Sequence, residues 1–296
     1  MLAVLALASL GGGYQTVRAA VEASANAMPG QLFDVGGHSL HLSCTGSGSP
    51  TVVLEPGAGM VSAQLGLITP TVAHETRVCV YDRAGRGWSG PAETRQDATQ
   101  IATDLHTLLE RAHVPGPYLL AGHSFGGLYV LTFAARYPDE VAGMVLVDST
   151  APASEADATA TAADDGGSSD LANRAVTLVS TSARLGLTRL IDQPTPSDVR
   201  STIEEYGQGG SSTREAASLR DFAGKPLVVL TAGIGHDADA LVAQDALATL
   251  STASAHRVID DVDHLGMIAD ENGADATTRA ILDVVTSIRA AVPLTD

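Results

Sequence analysis

The sequence predicts an α/β protein, a mostly parallel sheet with helices on both faces. Three observations predict it. Short apolar runs alternate with helically spaced segments from residue 31 onward, and such alternation packs parallel strands under covering helices. The run at 118–121 (Tyr-Leu-Leu-Ala) meets Gly122-His123-Ser124-Phe125-Gly126, and residues 127–137 continue with helical spacing up to Pro138. Finally, the polar residues with the strongest chemical character follow strand ends, where ligands sit in open sheets of this kind.

The elements follow in order. Residues 31–35 and 38–44 flank Gly36-Gly37 and read as a hairpin with a glycine turn. A Gly/Ser/Pro loop leads to a buried strand at 51–54, which runs into Glu55-Pro56-Gly57-Ala58-Gly59. Another strand at 77–81 precedes Asp82-Arg83-Ala84-Gly85-Arg86-Gly87-Trp88-Ser89. Residues 98–112 place Ile101, Leu105, Leu108 and Leu109 on one helical face, and Pro115-Gly116-Pro117 stops that helix. The strand at 118–121 follows, then its helix, then a strand at 141–147 that ends in Asp148. Later come a strand at 227–230, a helix at 242–250, a strand at 256–259 and a last helix at 275–291. That makes eight strands.

Residues 151–222 interrupt the alternation. Their first part, 151–170, is Ala, Asp, Ser, Thr and Gly with no large apolar side chain, so it can bury little. Helical pieces follow at 171–191 and from 196, where Thr195 is the expected N-cap and Pro196 the first helical residue. Ser212-Thr213-Arg214-Glu215 reads as a capping box. The expected organisation is a core of residues 28–150 and 223–296 carrying a helical lid at 151–222. Before the core, residues 1–27 hold an apolar run at 2–10 and small-x-small patterns near Ala27. That segment resembles a signal or membrane anchor, with an ordinary helical extension as the alternative, so export or membrane association is the expected localisation.

Composition narrows the function. With 296 residues, 45% of them hydrophobic, the chain can bury a large core. A net charge of −17 with Lys225 as the single lysine argues against nucleic acid, whose phosphates demand Lys and Arg. Two cysteines, Cys44 and Cys79, are too few for a disulfide scaffold or a Cys-based zinc site. They form one bond if their strands are neighbours in an oxidising compartment, and otherwise are two buried thiols.

Strand, sharp turn and helix are the context in which Gly-x-Ser-x-Gly marks an exposed nucleophile at Ser124. A serine hydroxyl is a poor nucleophile at neutral pH and needs an adjacent base. Of nine histidines, His264 follows the last strand in Asp263-His264-Leu265 and suits that role best. His123 lies within the turn, and its side chain is expected to pack away from the site. His236 with Asp237 and Asp239 matches no familiar metal-ligand spacing. For the acid that orients the base, Asp148 and Asp237 both follow strands: Asp148 directly, Asp237 within Gly233-Ile234-Gly235-His236-Asp237.

Glu55-Pro56-Gly57-Ala58, the Asp82-to-Ser89 loop, the Ser124 turn and Asp263-His264 together resemble the α/β-hydrolase superfamily. The likeness covers about 31–291 and is weakest over the lid. It implies an eight-stranded, mostly parallel sheet with a helical cap insertion and a Ser124–His264–Asp148 triad, with Asp237 as the alternative acid. An oxyanion hole would form from the backbone N–H groups of Phe125 and Ala58. Pro56-Gly57 stands where His-Gly is frequent in the superfamily. Arg83 is expected to pair internally and hold its own loop turned. The implied activity is hydrolysis of a small-molecule carboxylic ester without cofactor or metal. Amide, carbamate or carbon–carbon hydrolysis, acyl transfer and ligand binding without turnover are the alternatives. Relatives acting on halides and epoxides use a carboxylate where this chain has Ser124.

Overall fold

The computed structural model describes residues 28–152 and 196–294. The expected N-terminal segment, the Ala/Asp/Ser/Thr/Gly stretch beyond residue 152, the helix at 171–191 and Thr195 lie outside the described residues. Among the described residues, no helix is long and apolar enough to cross a membrane.

Eight strands form one sheet: β1 (Gln31–Asp34), β2 (Ser39–Thr45), β3 (Thr51–Glu55), β4 (Val78–Asp82), β5 (Tyr118–His123), β6 (Val141–Val147), β7 (Leu227–Ala232) and β8 (Ser254–Ile259). Their order is β1-β2-β4-β3-β5-β6-β7-β8. The β1–β2 hairpin and the β2–β4 pair are antiparallel, and every other pair is parallel. Cys44 and Cys79 face each other across the β2–β4 register and are joined by a disulfide.

Helices cover both faces: α1 (Thr69–Glu75), α2 (Ala98–Arg111), α3 (Phe125–Arg136), α4 (Pro196–Gly207), α5 (Gly209–Ala216), α6 (Ala238–Ala248), α7 (Gly266–Ala269) and α8 (Glu271–Ala290). Adjacent strand residues point to opposite faces, so each central strand feeds two cores. Val53, Leu120, Leu146 and Val229 pack with α2 and α3. Val52, Leu119, Val145 and Val228 pack with α1 and α8. This two-sided burial is why those strands are apolar at consecutive positions.

Some boundaries differ from the sequence reading. Helix α1 falls where no element was expected. Helix α6 starts at Ala238 because Asp237 caps it, its carboxylate accepting from the Ala240 N–H at 2.9 Å. The expected capping box at 212–215 lies inside α5, which starts at Gly209. Its residues cap another helix instead. Ser212 Oγ accepts from the Ala98 N–H at 3.1 Å, and Glu215 Oε2 accepts from the Thr99 N–H at 2.7 Å. Together with Asp97, which accepts from Gln100 N–H, they satisfy the free donors at the start of α2.

Candidate active site

The chain reverses its winding direction around β3 and β5. Strand β4 lies on one side of β3 and β5 on the other, so the loops after β3 and β5 part from adjacent strand ends, the place where ligands sit in open sheets of this kind. Glu55 is registered opposite Gly122, which brings the Pro56–Gly59 loop beside the Ser124 turn.

Ser124 joins β5 to α3 at φ 56°, ψ −126°, a conformation L side chains rarely adopt. Small neighbours make room for it. A Cβ at Gly122 would come within 2.5 Å of the Gly126 carbonyl oxygen. A Cβ at Gly126 would strike the Glu55 carbonyl, and one at Gly127 the Ser149 hydroxyl. The turn is tied to β6: Ser124 N–H donates to Val147 O at 3.1 Å, and Thr150 N–H donates to Ser124 O at 3.1 Å. Phe125 opens α3, so its N–H has no acceptor within the helix. Among the described residues the Ala58 N–H also meets no acceptor.

Asp148 ends β6 with a second positive φ, 44°. Its side chain is fully buried, and its carboxylate gathers three donors. His264 Nδ1 lies 2.6 Å from Oδ2. The Ala232 N–H and His236 Nε2 lie 2.9 and 2.8 Å from Oδ1. Burial alone would raise this carboxyl's pKa, but the hydrogen bonds from His264 and Ala232 and the nearby His236 hold it below the ordinary value. An ionised carboxylate only accepts, so Nδ1 of His264 carries the hydrogen and Nε2 is the ring nitrogen open to a proton. The imidazole is 45% exposed, as a group meeting a substrate must be.

His123 departs from its expected place. Its ring packs against His264, centroids 4.7 Å apart, and Nε2 donates to the His264 carbonyl at 3.0 Å. Burial pushes its pKa down to about 4, so at neutral pH it holds the His264 loop as an uncharged donor. Strand alternation faces the turn residue before Ser124 toward the neighbouring loop, a signal that the sequence carried.

The sequence reading treated Asp148 and Asp237 as alternatives. The structure brings Asp148 to His264, whereas Asp237 is a helix cap. His236 is bound to Asp148, and no cluster of His, Cys, Asp or Glu among the described residues could hold a metal ion.

Arg83 does not hold its own loop as expected. It reaches the loop after β3, donating to Pro56 O at 2.7 Å, Gly57 O at 2.6 Å and Glu55 Oε1 at 2.6 Å. Its Nε donates to Glu205 Oε1 at 2.9 Å. Glu205, on α4, drew no attention in the sequence because nothing local marks a helical glutamate as buried.

A hydroxyl in a strained turn, an imidazole oriented by a buried carboxylate, and N–H groups without an acceptor among the described residues are the kinds of group that acyl transfer uses. Comparison with known proteins agrees with the fold. The profile of the alpha/beta hydrolase fold family matches residues 50–270. An uncharacterized protein of Schizosaccharomyces pombe is 36% identical over 151 residues, 40% of this chain and 28% of the relative. The matched stretch thus spans under a third of that relative's length. A thermophilic esterase from Thermogutta terrifontis superposes with a TM-score of 0.62 at 22% identity, covering 84% of this chain and 95% of that one. The enol-lactonase from Burkholderia xenovorans gives 0.60 at 20%, covering 86% and 100%. At such identities the likeness is one of fold.

Proposed function

The chain belongs to the alpha/beta hydrolase fold family, and on that footing we propose that it is a serine hydrolase cleaving carboxylic esters through an acyl-enzyme. The observation that carries the reading is the 2.6 Å pairing of His264 Nδ1 with buried Asp148, on the sheet edge that also presents strained Ser124.

In this reading Ser124 Oγ attacks the ester carbonyl while His264 Nε2 takes its proton. Asp148 stabilises the imidazolium that forms, and its own low proton affinity keeps the proton on the ring. The carbonyl oxygen becomes an oxyanion and accepts from the N–H groups of Phe125 and Ala58. The imidazolium then protonates the departing alkoxide, leaving an acyl group on Ser124. Water repeats the sequence, with His264 as base, and releases the acid. Helices α4 and α5 would belong to the cap expected over 151–222, which excludes water from the site.

A p-nitrophenyl ester series from acetate to laurate tests the proposal. The parent should turn over at least one member and Ser124→Ala should lose that turnover by about 10³-fold or more. Equal rates for the two proteins would refute it.

A further inference from the structure

We infer that Glu205, on helix α4, is a positioning residue that sets the oxyanion donor at Ala58. The inference rests on the hydrolase reading, in which the Ala58 N–H meets the developing oxyanion.

The loop after β3 is held peptide by peptide. Arg83 Nη2 donates to Gly57 O at 2.6 Å. A trans peptide is planar, so its N–H points opposite to its C=O. Drawing the Gly57 carbonyl toward Arg83 therefore turns the Ala58 N–H away from Arg83. The next peptide is fixed from its other end, because Gly59 N–H donates to Glu205 Oε2 at 2.8 Å. One residue further, Gly59 O accepts from Arg86 Nη1 at 2.8 Å. Ala58 thus lies between two clamped peptides, and its own N–H is unengaged among the described residues.

Both clamps lead to one carboxylate. Glu205 holds Gly59 directly. It also holds Arg83, accepting from Nε at 2.9 Å on Oε1 and from Nη2 at 3.2 Å on Oε2. Arg86 Nη2 lies 3.6 Å from Glu205 Oε2 and donates to Thr202, one turn earlier on α4. The Glu205 and Arg83 side chains are each 2% exposed. Burial opposes the carboxylate's charge, but Arg83 and Arg86 hold its pKa below the ordinary value, so the clamp stays ionised across the neutral range. Glu55, the other carboxylate on Arg83, is engaged at a different nitrogen, Nη1, at 2.6 Å. The donor geometry of the site therefore depends on a helix 146 residues away in sequence from the loop it clamps.

The experiment compares the full-length parent with Glu205→Gln, Glu205→Asp and Ser124→Ala on one p-nitrophenyl ester. Removing an oxyanion donor costs about 10²–10³ in kcat. Misplacing one should lower kcat of Glu205→Gln by about tenfold to a hundredfold, with KM within about threefold of the parent. Affinity for an alkylboronic acid, which forms a tetrahedral adduct on the serine, should weaken in step with kcat/KM. Glu205→Asp keeps the charge but draws it back from Gly59, and should recover part of the loss. Cooperative thermal unfolding certifies that each variant is folded. If Glu205→Gln does not fold, Glu205→Asp carries the test, with a smaller but still measurable loss of kcat at unchanged KM. Parent kcat in a folded Glu205 variant, or a loss confined to KM, overturns the inference while leaving the hydrolase reading intact. Full turnover by Ser124→Ala overturns both.

Discussion

Ser124 and Asp148 both sit at positive φ, and both are held there by hydrogen bonds to a neighbouring strand. Strain of this kind persists only where surroundings over-determine it. Two residues of the proposed triad share that feature, and neither is a glycine. Asp148→Asn should reduce kcat by about 10⁴-fold, because an amide cannot enforce the His264 tautomer. Asp237→Asn keeps a side-chain acceptor at the α6 cap and should alter kcat less than about twofold. Steady-state kinetics on the two variants checks this; comparable losses would contradict it. The sequence placed both aspartates after strand ends and could not separate them, since the choice depends on which one faces the His264 loop across the sheet edge. The strained turn at Ser124 was legible from its strand, turn and helix context, whereas the pairing of His264 with Asp148 joins segments that no local pattern links.

Two buried groups near the site titrate in opposite senses. Burial pushes Glu55 up to about 7, against the pull of Arg83 and the Tyr81 hydroxyl. Between its unfolded value of 4.5 and about 7 the folded protein holds a proton that the unfolded chain has released. Stability therefore falls as pH rises through that window. His123 is lowered from 6.5 to about 4, so there the unfolded chain holds the extra proton and stability rises with pH. The two slopes oppose each other from about pH 4.5 to 6.5. Glu55→Gln removes the falling component. Urea unfolding at pH 5, 5.5, 6 and 6.5 should then show stability rising with pH by up to about 1.4 kcal/mol per unit more than in the parent. An unchanged slope would contradict the assignment.

At the scale of elements, helical periodicity was legible where a long apolar stripe faces a core, as with Ile101, Leu105, Leu108 and Leu109 of α2, but not in the short α1, which buries Val72 alone. It failed where a cap serves a different helix from its own. Ser212 and Glu215 have the spacing of a local capping box, yet they bind the first N–H groups of α2, and no local pattern distinguishes the two uses. These contacts tie α5 to α2. Ser212→Ala should cost about 0.5–2 kcal/mol of unfolding free energy, the usual penalty for a lost cap, although Asp97 remains in place. Chemical denaturation measures the loss. No change would show that Asp97 alone suffices.

For the whole molecule, eight strands and their mostly parallel pairing were legible because two-sided burial makes β3, β5, β6 and β7 apolar along most of their length. The order β4-β3-β5 makes the loops after β3 and β5 diverge from neighbouring strand ends, which sets the Ala58 loop beside the Ser124 turn. The pairing of Cys44 with Cys79 followed only from β2 and β4 being neighbours, which spacing in sequence cannot show. The clamp of Arg83 and Glu205 on the Ala58 loop was equally invisible, because it joins residues from three separate segments.

The central claim is that one hydroxyl, Ser124, is made nucleophilic by His264. Incubation with a fluorophosphonate, followed by intact mass and peptide mapping, tests it directly. The account predicts one adduct per chain, located on the peptide carrying Ser124, formed at least about a hundredfold more slowly in His264→Ala and absent in Ser124→Ala. Labelling at another residue, or at Ser124 at the same rate without His264, would contradict it.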